Sequence, residues 1–187
     1  MKKAPALLFL CLLPVLGAQE EPRDKAGAAP PEKSAPPAIA GTAPARAGGD
    51  EPELDIEAVY RRLITTAARE YLGVPYRYAG VSPQGFDCSG FIYFIYREAA
   101  GMEVSRSSAG LWGGGKKITL AQVRPGDVLL FTTVRAGPSH AGIVLENGPG
   151  GVLFIHAASQ GAQTGVIISN LNEGYYKARF LGARNYF

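Results

Sequence analysis

The chain has 187 residues, 47% of them hydrophobic and 19% charged, with 24 Gly, 14 Pro and 2 Cys. That length holds one domain plus appendages and excludes a repeat solenoid, a multi-span membrane protein and a large multidomain enzyme. Two cysteines cannot staple a small secreted scaffold, and a formal net charge of +3 is too mild for an obligate nucleic-acid binder.

Lys2 and Lys3 precede an apolar run from Ala4 to Leu16 that closes on Gly17-Ala18. A basic start, an apolar middle and small residues at the end are the pattern of a secretory signal peptide, placed here at residues 1–18. The run falls short of the roughly 20 apolar residues that span a bilayer, so no stable membrane insertion is expected once the signal is removed. Lipid attachment at Cys11 is disfavoured, because Leu8-Phe9-Leu10 offers no small residue immediately upstream. Cleavage removes Cys11 and leaves Cys88 as the one thiol of the exported chain. An unpaired thiol outside the cytoplasm implies chemistry or deep burial.

Residues 19–53 are rich in Ala, Pro, Glu and Gly and show no apolar periodicity, which predicts a disordered, partly extended linker. The body of the chain is residues 54–187, where basic side chains outnumber acidic ones. That excess gives a mild attraction to polyanions, which an ordinary solvated surface explains as well.

The body opens with an amphipathic helix. Ile56, Val59, Tyr60, Leu63, Ile64, Ala67, Ala68, Tyr71 and Leu72 recur at helical spacing, and Gly73 and Pro75 stop it. A second helix is predicted from Asp87 to Ala100, ended by Gly101; its run Phe91–Tyr96 is apolar all round and belongs in the core. A polar, Gly-rich connector covers residues 103–117, and Arg124-Pro125-Gly126-Asp127 is a turn with Asp127 as its former. Strands follow at Val128–Thr133, His140–Leu145, Val152–His156, Val166–Ile168 and Phe180–Asn185. Helices first and strands after predict an α+β domain with an antiparallel sheet.

The two histidines, His140 and His156, both fall in predicted strands separated by the Asn147–Gly151 turn. If those strands form a hairpin, both rings can face one side of the sheet. Cys88 begins a helix, where the positive end of the helix dipole and free amides favour thiolate. Cys88 as nucleophile, His140 as base and His156 orienting the base form a coherent triad. Asp87, as N-cap of that helix, accepts a backbone amide, a contribution of about 1 kcal/mol.

Phe86-Asp87-Cys88-Ser89-Gly90-Phe91, Ser139-His140-Ala141-Gly142-Ile143 and Phe154-Ile155-His156-Ala157 resemble the NlpC-type (NlpC/p-sixty) cell-wall cysteine peptidases. Gly73-Val74-Pro75-Tyr76-Arg77-Tyr78-Ala79-Gly80 and Pro125-Gly126-Asp127-Val128 match that family's other landmarks, in the family's order. The resemblance implies a papain-like α+β fold with the nucleophile's helix packed on an antiparallel β-sheet. It also implies hydrolysis of peptidoglycan stem peptides, commonly at the γ-D-glutamyl–diamino acid bond, by Cys88, His140 and His156. Tyr76 matches a tyrosine that positions substrate or tetrahedral intermediate, and Asp87 and Ser89 match residues that bind a substrate ammonium in some relatives. Arg106, in Ser105-Arg106-Ser107-Ser108, falls where relatives border the cleft and is a candidate partner for a substrate carboxylate. Tyr78 departs from the family's usual Trp.

The expected partner is thus a peptidoglycan stem peptide in the periplasm or extracellular cell wall, met by a monomer without metal or other cofactor. Three alternatives stay open at this level: a related amidase or acyltransferase, a non-catalytic wall-binding protein, and a zinc module using Cys88, His140 and His156. The last lacks closely spaced ligand pairs. Trp112, beside Gly113-Gly114-Gly115, is expected to anchor the core in preference to forming a sugar platform.

Overall fold

The computed structural model describes residues 54–161 and 163–187. The expected signal peptide, the linker and Cys11 lie outside the described residues.

Helix α1 spans Ile56–Glu70, with Asp55 as N-cap accepting the Ala58 amide. Its periodicity predicted a buried stripe through Tyr60 and Leu63, yet both are exposed, and the buried face is Arg61, Ile64 and Ala68. Arg61 reaches inward to the buried carboxylate of Asp127, and the helix turns its Arg61 face to the core. Helix α2 spans Cys88–Ala100, between an Asp87 N-cap and a left-handed Gly101 C-cap at φ 63°. Its Phe91, Ile92, Ile95 and Tyr96 are fully buried, as an all-round apolar helix requires.

Between the helices, Val81–Ser82 (β1) and Gly85–Phe86 (β2) make a small hairpin. Two-residue strands are too short to show alternation in sequence. The connector at 103–117 was expected to be irregular but holds α3 (Ser108–Gly113), capped by Ser107, and the start of β3 (Lys116–Ile118). Trp112, on α3, lies under the Arg184 guanidinium at 3.9 Å and packs at the edge of the first core.

The remaining strands are β4 (Val128–Phe131), β5 (His140–Gly148), β6 (Gly151–Ala158), β7 (Gly165–Asn170) and β8 (Phe180–Asn185); helix α4 (Gly174–Lys177) precedes the last. Together with β3 they form a six-stranded antiparallel sheet in the order β3-β8-β4-β5-β6-β7. Gly148 pairs with Gly151, so the expected Asn147–Gly151 turn closes tightly on Pro149-Gly150. That turn closes the end of the hairpin remote from both histidines.

Two apolar layers sandwich the sheet. α1 and α2 bury Ile64, Phe91 and Ile95 against Ala141, Ile143 and Ile155 on one face. On the other face Leu129, Phe131, Val144, Phe154 and Leu171 form a second core. The expected α+β architecture, with the Cys88 helix on an antiparallel sheet, is what the chain forms. Among the described residues no helix is long and apolar enough to cross a membrane.

Asp127 does more than form its turn. Fully buried, it accepts from the Arg124 amide at 2.7 Å, Arg61 Nη1 at 3.0 Å and Asn185 Nδ2 at 3.1 Å, tying α1, β4 and β8 together. Burial pushes its carboxyl up despite these donors, so the pair serves register more than net stability. Removing one partner strands the other. Asp127→Ala is expected to lower unfolding free energy by about 3–5 kcal/mol, read as a drop in urea midpoint; a loss under about 1 kcal/mol would contradict this role.

Candidate active site

The segment before α2 folds back on it and positions Cys88. Arg77 donates its amide to the Phe86 carbonyl at 2.9 Å and Asp87 donates to the Gly80 carbonyl at 3.1 Å. Gly90 permits this approach, since a Cβ there would sit 2.1 Å from the Gly80 carbonyl oxygen and 2.9 Å from Arg106. Cys88 occupies the first position of α2, half-exposed, at the floor of a groove of about 700 Å³. Tyr76, Asp87, Ser89, Arg106 and Ser108 line the same groove, with Tyr78 standing 87% exposed at its rim. That volume suits a small ligand or short peptide.

The Cys88 sulfur is 3.7 Å from the Ser108 hydroxyl and 4.0 Å from the Ser139 carbonyl oxygen. The backbone amides of Ser89 and Ala141 also favour its charged form. Ser139 and Ala141 flank His140, so α2 and β5 meet at the first residue of that strand. Among the described residues no hydrogen bond joins Cys88 to His140 directly. The imidazoles lie with Phe131 and Phe154 on the face of the second core, whereas α2 packs the first. The sulfur therefore approaches His140 around the end of β5. His140 opens onto a small adjoining pocket that shares Val134 with the groove.

The histidines themselves meet as the hairpin reading required. Ile143 pairs with Ile155, which sets His140 diagonally from His156 on one face. Their rings are perpendicular, with His140 Nε2 2.9 Å from His156 Nδ1. Gly142 clears the space between them: a Cβ there would meet Phe154 at 2.6 Å and the His156 Cβ at 3.1 Å. Nε2 of His156 is 3.1 Å from the Ser169 hydroxyl. With both of its ring nitrogens engaged, His156 has none left for zinc. Among the described residues no group of His, Cys, Asp or Glu is placed to hold a metal ion.

Electrostatics correct one expectation. Helix position alone favours thiolate, but burial pushes the Cys88 thiol up, and the Asp87 charge adds to this against the pull of Ser108 and the two amides. Burial also lowers His140 to about 4, and burial with His140 beside it holds His156 well below its ordinary value. The resting site is a neutral thiol beside neutral imidazoles.

The substrate-binding candidates are largely engaged with each other. Arg106 grips Asp87 with both forks, Nη1 to Oδ1 at 2.9 Å and Nη2 to Oδ2 at 2.7 Å, and Nη1 reaches Ser89 Oγ at 3.1 Å. Asp87 Oδ1 also accepts the Gly90 amide at 2.7 Å, the expected cap. The Arg106 side chain keeps 35% of its surface and Asp87 13%. Tyr76 is held up by burial, then by Cys88 and Asp87, so its phenol remains a donor. Ser108, Ser169 and Tyr176 were missed in the sequence. The predicted strand stopped at Ile168, one residue before Ser169, and α3 lay inside an expected loop.

With this geometry the comparisons take on meaning. The sequence pattern described as the NlpC/P60 family matches residues 73–185, and the chain belongs to that family. It is 37% identical over 125 residues to the "Gamma-DL-glutamyl hydrolase" of Bacillus subtilis (strain 168), covering 66% of this chain and 29% of that protein. It is 39% identical over 117 residues to "Murein DD-endopeptidase MepS/Murein LD-carboxypeptidase" of Escherichia coli (strain K12), covering 62% of this chain and 57% of that protein. The match thus spans less than two thirds of either relative. The solved NlpC/p60 domain of peptidoglycan hydrolase SagA superposes with a TM-score of 0.56 at 27% identity, covering 67% of this chain and 97% of that one.

The charge state has a consequence for pH. An unfolded histidine takes up a proton near 6.5, while folded His140 resists until about 4. Between those values the unfolded chain binds more protons, so stability falls on acidification from 6.5 toward 4. NMR titration of the His140 ring is expected to show an inflection near 4; an inflection near 6.5 would contradict the neutral site.

Proposed function

We propose that the chain is a secreted cysteine endopeptidase that hydrolyses peptidoglycan stem peptides at the γ-D-glutamyl–diamino acid bond. The observation that carries this reading is the Cys88 sulfur 4.0 Å from the carbonyl just before His140, while His140 is bonded to His156 at 2.9 Å. The relatives' printed names support the substrate class. The γ-glutamyl hydrolase supports the bond, and the signal-peptide pattern supports export to the periplasm or extracellular wall.

Cys88 leaves the Ser108 hydroxyl by side-chain rotation and gives its proton to Nδ1 of His140 as sulfur attacks the scissile carbonyl. Catalytic hydrogen bonds often tighten only when substrate is bound. The imidazolium that forms is held by Nδ1 of His156. The Tyr76 phenol and the start of α2 offer donors to the developing oxyanion. His140 then protonates the departing amine, leaving a thioester, and water activated by the same ring releases the acid.

Asp87, Ser89 and Arg106 read the acyl side. Among the described residues Oδ2 of Asp87 bonds to Arg106 alone, which leaves lone-pair capacity for a substrate ammonium. The exposed part of Arg106 is available to a carboxylate. A stem peptide with a free amino terminus and an α-carboxylated γ-glutamyl residue carries both groups.

Cys88→Ala is expected to keep the fold and lower turnover by several orders of magnitude. The check is mass spectrometry of wall digests, where wild type frees the diamino acid's α-amine. Wild-type turnover by Cys88→Ala would reject the mechanism, and release at the D,D-crosslink would shift the bond to that named for the E. coli relative. Arg106→Ala is expected to raise KM for a free tripeptide about tenfold or more, with a smaller change in kcat; an unchanged KM would remove Arg106 from substrate binding.

A further inference from the structure

β7 does more than flank β6. Ser169 pairs with Phe154, and its strand-mate Ile167 pairs with His156, so the Ser169 side chain sits diagonally from the His156 ring. Ser169 is 6% exposed and His156 fully buried, with its ring stacked on Phe154 at 4.9 Å. Two hydroxyls meet Nε2 of His156: Ser169 at 3.1 Å and Tyr176 of α4 at 3.3 Å. The two hydroxyls therefore converge on one ring nitrogen.

Proton counting fixes the direction of each bond. His140 can take the Cys88 proton only on a bare Nδ1, so its own hydrogen is on Nε2. That hydrogen goes to Nδ1 of His156, which must also be bare. The His156 hydrogen is then on Nε2 of a buried ring and needs an acceptor, and Ser169 Oγ is the nearest. Ser169's own hydrogen must point elsewhere, and the Tyr176 oxygen accepts it. If a hydroxyl donated to Nε2 of His156, both rings would carry hydrogen on Nδ1. Cys88 would then face an N–H.

We infer that Ser169 and Tyr176 are positioning residues, a hydroxyl pair that holds both imidazoles in the one tautomeric order in which His140 is a base toward Cys88. The order moves a single proton, from Sγ to Nδ1, and leaves the other hydrogens on their atoms. His156 faces His140 and Tyr176; beyond these, Cys88 lies beside the His140 end and Glu173 and Tyr175 beside Tyr176. The order rests on the reading of His140 as base toward Cys88, and the spectra test it apart from activity.

Long-range 1H–15N spectra of the histidine-labelled full chain at neutral pH read the tautomers without substrate. Both rings are expected to carry hydrogen on Nε2 in wild type and in Ser169→Thr, and to show mixed tautomers in Ser169→Ala and Tyr176→Phe. In wall digestion, Ser169→Ala is expected to lose roughly 10- to 100-fold in kcat with KM unchanged, and Ser169→Thr to recover most of it. Hydrogen on Nδ1 of either ring in wild type, or unaltered tautomers in Ser169→Ala, would overturn the assignment. An inactive wild type with the Nε2 order would refute the hydrolase reading and support the positioning role.

Discussion

The register of one hairpin decides what this fold can do. Because Ile143 stands opposite Ile155, His140 and His156 fall on the same face and one step out of line, the offset that lets two imidazoles bond edge to edge. A slip of one residue would send one ring into the opposite layer. The tight Pro149-Gly150 turn, the flanking β4 and β7 pairings and the missing side chain at Gly142 all hold that register. The histidine pair is therefore a property of the sheet, and its precision comes from strands instead of loops.

Cys88 is set by a different device. Asp87 caps α2, pairs with Arg106 and places a negative charge next to a thiol. Such a charge opposes thiolate, and burial opposes it more strongly. The helix terminus, which in isolation would activate sulfur, loses this contest. The site stores its proton on sulfur and leaves both rings neutral until a substrate arrives. That arrangement limits oxidation of an unpaired thiol, since the thiolate is the reactive form.

Much of this was legible in the sequence because it follows from local rules. Asp87 and Gly101 bracket α2 as caps do, and the strands bearing His140 and His156 announce themselves between Gly, Pro and Asn clusters. What stayed hidden depends on partners distant in the chain. Tyr60 and Leu63 keep helical spacing yet face outward, because Arg61 pairs with a carboxylate in the turn before β4 and turns the helix. The bidentate Arg106–Asp87 grip joins residues 19 apart, from the cap of α2 to the loop beyond its far end, a pairing that no periodicity marks. Ser169 is a plain strand residue until the β6–β7 register puts it next to an imidazole. The burial that opposes thiolate at Cys88 is likewise a tertiary fact.

The account's central claim is that Cys88 carries the acyl half of the substrate. Rapid acid quenching of enzyme mixed with excess stem peptide, followed by intact-mass and peptide mapping, tests it directly. The account predicts a transient adduct on the peptide holding Cys88, equal in mass to the acyl fragment. Turnover with no adduct at any quench time, or an adduct on another residue, would contradict it.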